Sequence, residues 1–210
     1  RSADVFRPAN QAGTSAHGGV LALAGDDHSA KSSTMAAQTD HLFQAVGMPV
    51  LAPATLQDFI DLGLHGFAMS RFTGLWVGIK CVTDCVESTG IVDVSADRIR
   101  PLLPQGIDLP PGGLNIRWPE EGFVAMEQRL VQHKLPAALA YARANRLDRV
   151  HFDSRGARRG IVTSGKSWLD VMQALEDLGI DPAAGGELGL KVYQGRVPWP
   201  LEPVGLVTFA

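Results

Sequence analysis

Ten residues near the start of the chain, Gly25-Asp26-Asp27-His28-Ser29-Ala30-Lys31-Ser32-Ser33-Thr34, gather two carboxylates, an imidazole, an ammonium group and several hydroxyls. They directly follow the apolar run Val20-Leu21-Ala22-Leu23-Ala24. In such a set Lys31 can pair with a substrate carboxylate, and His28 can donate a hydrogen bond or move a proton. The same residue types also have a purely structural use. Asp26 and Asp27 can accept from local amides in an Asx turn, and Ser33 or Thr34 can cap a helix. Loops carry function more often than cores do, and residue types alone leave both readings open.

A second candidate, Gly160-Ile161-Val162-Thr163-Ser164-Gly165-Lys166-Ser167, satisfies the spacing of a P-loop. That motif needs a strand before its first glycine and a curled loop whose amides point at phosphate. Here Ile161, Val162 and Thr163 are β-branched and favour a strand over a loop. The preceding Arg155-Gly156-Ala157-Arg158-Arg159 reads as a basic turn, and no apolar run ending in Asp follows to hold magnesium. The expectation is a strand–turn–helix corner, with Gly165 at the turn and Ser167 at the N-cap. Its free amides stay available to an anion.

The remaining candidates are weaker. Cys81 and Cys85 lack the two further partners that a tetrahedral metal site needs, and Cys81, in an apparent strand, is expected to be a buried structural thiol. His65, beside Gly66 in an expected helix, reads as a packing residue. Trp118, between Arg117 and Pro119, is placed to anchor a connector on a domain face, and Arg155, Arg158 and Arg159 read as a solvated basic cluster.

These residues need elements to position them. Residues 1–18 are polar and rich in Gly, Ala and Ser, the texture of an extended approach segment. The 20–24 run, closed by turn residues, fits a strand buried on both faces of a parallel sheet. Residues 33–46 read as a helix stopped by Gly47. Pro49-Val50-Leu51-Ala52 is a second strand. Thr55 and Asp58 then form an Asp variant of the capping box, opening a helix with Leu56, Phe59, Ile60, Leu64 and Phe67 on one face. Leu75 to Val82 is a third strand. Residues 1–85 thus read β-α-β-α-β, a helix-covered parallel sheet. Ligands of such sheets sit beyond the carboxyl ends of the strands, where the 25–34 loop lies.

Beyond residue 88 the texture changes. Ile91-Val92-Asp93-Val94 reads as an edge strand. The 98–122 stretch, with Pro101, Pro104, Pro110, Pro111 and Pro119, is a connector or insertion. A helix over 124–145 should kink or divide at Pro136. A second α/β segment follows, with strands at 149–153, 160–163 and 190–193. A helix capped by Ser167 and Asp170 and closed by Gly179 lies between the last two, and a final helix begins after Pro203.

Composition bounds the function class. The 210 residues are 45% hydrophobic and 20% charged with a net charge of −3, so no basic excess points to nucleic acid. No apolar run approaches the ~20 residues of a membrane span. Two cysteines build neither a disulfide framework nor a four-thiolate site, and a reduced, cytoplasmic setting is the expectation. The chain opens on Arg1 rather than methionine, with no signal-peptide character, and a cut through a longer protein is one reading of that start.

The stretch from Gly18 to Thr34 resembles the indolepyruvate ferredoxin oxidoreductases, which are thiamine-diphosphate-dependent 2-oxoacid:ferredoxin oxidoreductases. The resemblance continues through Gly63-Leu64-His65-Gly66, the run Gly74 to Val82 with Lys80 and Cys81, and Leu109-Pro110-Pro111-Gly112-Gly113-Leu114-Asn115-Ile116-Arg117-Trp118-Pro119. It takes in Ala142-Arg143-Ala144-Asn145, Gly160 to Lys166, and Trp199-Pro200-Leu201-Glu202-Pro203.

The resemblance implies an α/β fold: the later part of a thiamine-diphosphate pyrimidine-binding-type parallel sheet with flanking helices over 1–87, a Pro/Gly-rich connector and helix over 88–148, and the beginning of a transketolase-C-terminal-like α/β domain over 149–210. It implies oxidative decarboxylation of an aryl 2-oxoacid such as indolepyruvate to the acyl-CoA, with ferredoxin as electron acceptor. It implies thiamine diphosphate, Mg2+ and 4Fe-4S clusters in the full-length enzyme, and none bound by this chain alone. The activating glutamate would lie before Arg1, and the metal site and cluster cysteines after Ala210. The expected partners are the enzyme's remaining domains, ferredoxin, the 2-oxoacid and CoA, in a homo-oligomer, without nucleic acid or membrane. Exposed apolar surface is expected where those domains pack. In that setting Asp26, Asp27, His28, Lys31, Ser32 and Ser33 form a loop close to substrate or cofactor, and the arginine cluster gains a second reading, the phosphates of CoA. Two other function classes remain open, a non-catalytic assembly module and a P-loop-like nucleotide-binding protein.

Overall fold

The computed structural model describes residues 2–210, and Arg1 lies outside the described residues. The first sheet has three parallel strands, β1 (Leu21–Asp26), β2 (Val50–Leu51) and β3 (Val77–Val82), in the order β1-β3-β2. Between them run α2 (Asp40–Ala45) and α3 (Leu56–Thr73), giving the expected β-α-β-α-β order. The expected capping box opens α3: Thr55 Oγ1 accepts from the Asp58 amide at 3.1 Å, and Asp58 Oδ2 accepts from the Thr55 amide at 3.2 Å. Such caps are worth about 1 kcal/mol. Gly74 closes α3 in the left-handed region at φ 69°.

Each face of this sheet carries a packed core. One core joins Leu62 and Met69 of α3 to Leu51, Val77 and Ile79 of the sheet and to Tyr141. The other joins Ala24, Val50, Met48 and Phe43 with Phe6 and Trp76. Phe6 belongs to α1 (Ser2–Ala12), so the approach segment is helical rather than extended. Its anchor is Asn10, fully buried, which donates to the Val46 carbonyl at 2.8 Å and accepts from the Trp76 amide at 2.8 Å. These partners lie far away in sequence, and local composition carries no trace of them.

Three further expectations are corrected here. Among the described residues β1 pairs with β3 alone, and it is not buried on both faces, since Leu23 is 73% exposed. The helix expected over 33–46 shrinks to α2, because residues 30–39 are held otherwise: Asp27 and Ala37 exchange backbone hydrogen bonds and the Asp26 carboxylate takes Thr39. Residues 91–94 form no strand; Ile91 is exposed and has no ladder partner among the described residues.

A four-residue helix, α4 (Thr83–Val86), follows β3. The connector after it is irregular and is pinned by side chains. Asn145 brackets the Leu102 backbone, and Arg129 forks onto Glu121 while reaching the Gly113 carbonyl at 2.6 Å. The helix expected over 124–145 is divided as foreseen. α5 (Phe123–Arg129) passes through a π-helical turn, Leu130–Lys134, into α6 (Leu135–Ala144). The change of winding falls just before Pro136, whose ring and missing N–H cannot serve an uninterrupted α-helix.

The second sheet is mixed. β6 (Leu190–Gly195) lies between β4 (Arg149–Asp153), antiparallel to it, and β5 (Arg159–Ser164), parallel to it. The β5 helix, α7 (Lys166–Asp177), and α8 (Pro182–Glu187) accompany this sheet, with Leu175 packed on Phe152, Leu190 and Val192. Gly165, at φ 52°, is the N-cap of α7 and no side chain caps it. The Ser167–Asp170 box is therefore absent, and Asp170 instead pairs with Lys166 at 2.6 Å. α9 (Pro203–Phe209) is capped by the Glu202 carboxylate.

The two sheets are joined backbone to backbone. The Val50 amide donates to the Trp199 carbonyl at 2.7 Å and the Ala52 amide to the Arg196 carbonyl at 2.9 Å. Val197 enters the first core. The architecture is α/β, with a parallel sheet and flanking helices.

Candidate functional site

β1 and β3 end side by side, with Asp26 in register with Val82. The 25–34 loop leaves from that edge. Its two carboxylates are both buried and both turned inward. Asp26 accepts from the Thr39 hydroxyl at 2.9 Å and the Thr39 amide at 3.2 Å, and Lys80 Nζ stands 3.6 Å away. Asp27 gathers the amides of Ser32 at 2.8 Å, Ser33 at 2.9 Å and Lys31 at 2.9 Å. Those amides, that of Ser32 foremost, hold the Asp27 carboxyl down to about 2. Ala30 takes a left-handed backbone at φ 53° to let the loop close on Asp27.

His28, Ser32 and Ser33 are exposed, although the Ser32 hydroxyl turns back to donate to Asp27 at 3.3 Å. Lys31 reaches across to α4 and pairs with Asp84, which keeps the ammonium charged and draws the Asp84 carboxyl below its ordinary range. Neither Ser33 nor Thr34 caps a helix, since none begins there.

Lys80 is the residue that the spacing argument passed over. It comes from β3, its side chain is 12% exposed, and its ammonium bonds Asp40 at 2.6 Å. A lysine inside an apolar strand was the available signal, because buried lysines require a partner. Nothing in the local sequence marks Asp40 or Asp84.

The loop and the P-loop-spaced corner, separate in the sequence, line one cleft of about 180 Å3. His28, Asp40 and Lys80 form one wall, and Ser164, Lys166 and Ser167 form the other. In the corner, Ile161, Val162 and Thr163 belong to β5 rather than to a phosphate-cradling loop. The Lys166 ammonium is engaged by Asp170. An imidazole, a nearly buried ammonium and two hydroxyls around a space of this size can orient a small polar group by hydrogen bonds and hold a proton at the imidazole.

Cys81 and Cys85 sit on β3 and α4, and burial pushes both thiols up, away from nucleophilic use. His65 packs edge-on against Tyr141, with its Nδ1 3.1 Å from the phenol oxygen. Trp118 stacks with Phe123 and is 54% exposed.

Residues 149–210 match the family model described as the indolepyruvate oxidoreductase domain. The indolepyruvate oxidoreductase subunit IorA of Methanothermobacter thermautotrophicus is 26% identical over 182 residues, which is 80% of this chain and 26% of that protein. The subunit of the same name from Methanothermobacter marburgensis is 26% identical over 175 residues, with the same shares of 80% and 26%. The chain thus spans about a quarter of the length of the curated relatives it matches. Among solved structures, the 2-oxoglutarate:ferredoxin oxidoreductase from Magnetococcus marinus, with 2-oxoglutarate, coenzyme A and succinyl-CoA bound, aligns with a TM-score of 0.54. The alignment runs at 14% identity over 99% of this chain and 46% of that one, a likeness of fold. The chain is indolepyruvate ferredoxin oxidoreductase-like.

In this indolepyruvate ferredoxin oxidoreductase-like chain the matched segment supplies the β5–α7 wall of the cleft, and the loop wall comes from outside it. The described residues offer no complete site for the metal and clusters that the resemblance implies. Among them no three His, Cys, Asp or Glu side chains are grouped to hold a metal, and two cysteines fall short of a four-thiolate cluster. At about 180 Å3 the cleft is below the ~300–1,000 Å3 of pockets that enclose a whole ligand of cofactor size, so it suits a head group and not an entire thiamine diphosphate. No helix among the described residues is long and apolar enough to cross a membrane.

Proposed function

We propose that this chain is part of an enzyme that oxidatively decarboxylates an aryl 2-oxoacid, indolepyruvate, to the acyl-CoA with ferredoxin as electron acceptor, and that its 25–34 loop faces the 2-oxoacid. The observation that supports the reading is the shared cleft. The 25–34 loop, β3 and the β5–α7 corner within the matched 149–210 segment present His28, Lys80 and Lys166 to one space.

In this reading the loop's residues divide their work. Asp27 fixes the loop's path by consuming its amides, and the Lys31–Asp84 pair fastens it to α4. His28, which lines the cleft with Lys80 and Asp40, and the exposed Ser33 are left to contact the 2-oxoacid, while the Ser32 hydroxyl is shared with Asp27. Residues 1–87 serve as the later part of a pyrimidine-binding-like domain, 88–148 as connector and helix, and 149–210 as the beginning of a transketolase-C-terminal-like domain. Thiamine diphosphate, Mg2+ and the 4Fe-4S clusters belong to other parts of the complete enzyme, a cytoplasmic homo-oligomer.

Single substitutions His28→Ala, Lys31→Met, Ser32→Ala and Ser33→Ala in the complete enzyme test the reading, with kcat and KM measured on indolepyruvate. The expected result is a raised KM or lowered kcat for His28 and at least one serine. Unchanged kcat and KM in all four would overturn it. The 210-residue chain alone is expected not to turn over indolepyruvate.

A further inference from the structure

Lysines of the loop, of β3 and of the β5–α7 corner are all placed near the cleft, and their partners set them apart. Lys80 lies between Asp26, whose side chain is fully buried, and Asp40, at 3.6 and 2.6 Å. Two carboxylates face one ammonium there, so this wall carries surplus negative charge. Drawing Lys80 toward an arriving anion would leave the Asp26 carboxylate buried without its counter-charge. That loss would weaken binding on the order of a hundredfold or more. Lys31 pairs with Asp84 on α4, and its side chain is not part of the cleft lining.

Lys166 differs from both. It lines the opposite wall beside Ser164 and Ser167. Its carboxylate partner is Asp170, one turn along the same helix at 2.6 Å, and the two side chains are 39% and 58% exposed. A water-exposed pair at this helical spacing holds by only about a factor of two. The Asp170 carboxylate is solvated when left behind, so this ammonium can turn into the cleft at little cost. It is also charged, since the hydrogen bond to Asp170 raises it above the ordinary lysine range.

We infer that Lys166 is the group that takes the carboxylate of the 2-oxoacid, with the Ser164 and Ser167 hydroxyls donating beside it. The inference rests on the reading that the cleft faces that substrate, and it names which wall holds which end. The carboxylate lands on the β5–α7 corner. The 2-oxo group is then turned to the loop wall, where His28 can donate to it. The surplus negative charge around Lys80 enforces this direction, because a carboxylate facing Asp40 would meet a like charge. A cleft of about 180 Å3 suits a head group of this kind. The role expected of Lys31 thus passes to Lys166, and Lys31 is spent on fastening the loop.

The test is steady-state kinetics of the complete enzyme on indolepyruvate, with indole-3-acetate and indole as competing probes. The two probes share a ring and differ in the carboxylate. Lys166→Met should raise KM by about tenfold or more and leave kcat within about twofold, as loss of a binding contact does. Inhibition by indole-3-acetate should weaken to the same degree, and inhibition by indole should not change. Lys166→Arg should recover most of the loss, and Asp170→Asn should lower KM by up to about twofold. Each variant alters a partly exposed side chain, and an unchanged Tm checks that it folds. Unchanged KM and indole-3-acetate inhibition in Lys166→Met, with an effect of the His28 and serine variants, would overturn the inference and leave the substrate reading of the cleft in place. No effect of any of these variants would overturn both. Equal weakening of indole and indole-3-acetate would also defeat the inference, since it reports a distorted corner rather than a lost charge. So would inhibition by inorganic phosphate as strong as that by indole-3-acetate, which marks an anion site with no preference for a carboxylate.

Discussion

Asp58 and Arg196, 138 residues apart, form a buried ion pair at 2.5 Å that ties the start of α3 to the end of β6. The same Asp58 carboxylate takes the Ala54 and Thr55 amides, so one side chain serves a helix cap and the junction of the two sheets. Taking one partner from such a pair leaves the other charged and buried, at a cost of about 3–5 kcal/mol. Asp58→Ala and Arg196→Met should each lower stability by roughly that amount in urea unfolding. The double variant should lose much less than the sum. Additive losses would mean that the two residues act separately.

Acid should loosen the 25–34 loop late. An unfolded aspartate titrates near 3.9, and Asp27 in the folded chain near 2. The stabilisation from Asp27 is therefore complete above about pH 4 and is lost as pH falls through about 2. Amide resonances of Lys31, Ser32 and Ser33 should shift together in that window. In Asp27→Asn they should be exchange-broadened already at pH 7.

His65 should act in the opposite half of the acid range. Burial, then the charges of Arg196 and Arg149, hold its imidazole down to about 4, against about 6.5 when unfolded. Above pH 6.5 both states are neutral and stability is unaffected. As pH falls from 6.5 to 4 the unfolded chain takes up a proton that the folded chain refuses, so stability declines, and below 4 the decline levels off. His65→Gln keeps a hydrogen-bonding group toward Tyr141 and does not titrate. Its urea midpoint should fall less between pH 7 and 4.5 than that of the parent chain.

Asn10 is the latch of α1. Asn10→Ala leaves the Trp76 amide and the Val46 carbonyl unpaired in a buried place, which costs about 2–4 kcal/mol for the two groups. Hydrogen exchange should quicken through residues 2–12 before the rest of the chain, and uniform quickening would assign Asn10 to the global core instead.

The sequence was most legible where periodicity and caps act locally. The Thr55–Asp58 box, the break before Pro136 and the strand character of Ile161–Val162–Thr163 all stand in the structure, since each depends on neighbours within a few residues. The α3 face does not: Leu64 and Phe67 of the expected apolar face are exposed, and Leu62 and Met69 enter the core instead. The sequence was least legible where a distant partner decides. Asn10 makes a helix of a stretch that looked extended, Asp26 and Asp27 unmake a helix that looked plausible, and β1 meets a strand on one side only. At the site, the loop's chemistry-bearing residues could be named from their types. That Asp26 and Asp27 face inward, and that Lys80 and the β5–α7 corner complete the cleft, follows from sheet register, which no local pattern encodes.

The bridge from Val50 to Trp199 bears on how this polypeptide is made. β2 is only two residues long, and its outer side is completed by a residue about 120 positions after β3 has left the ribosome. At roughly 5–20 residues per second that is an interval of about 6–24 s. During it the first sheet is translated in full and lacks one of its neighbours. The nascent chain therefore presents an open strand edge for that time, and the sheet locks only when its distant successor arrives.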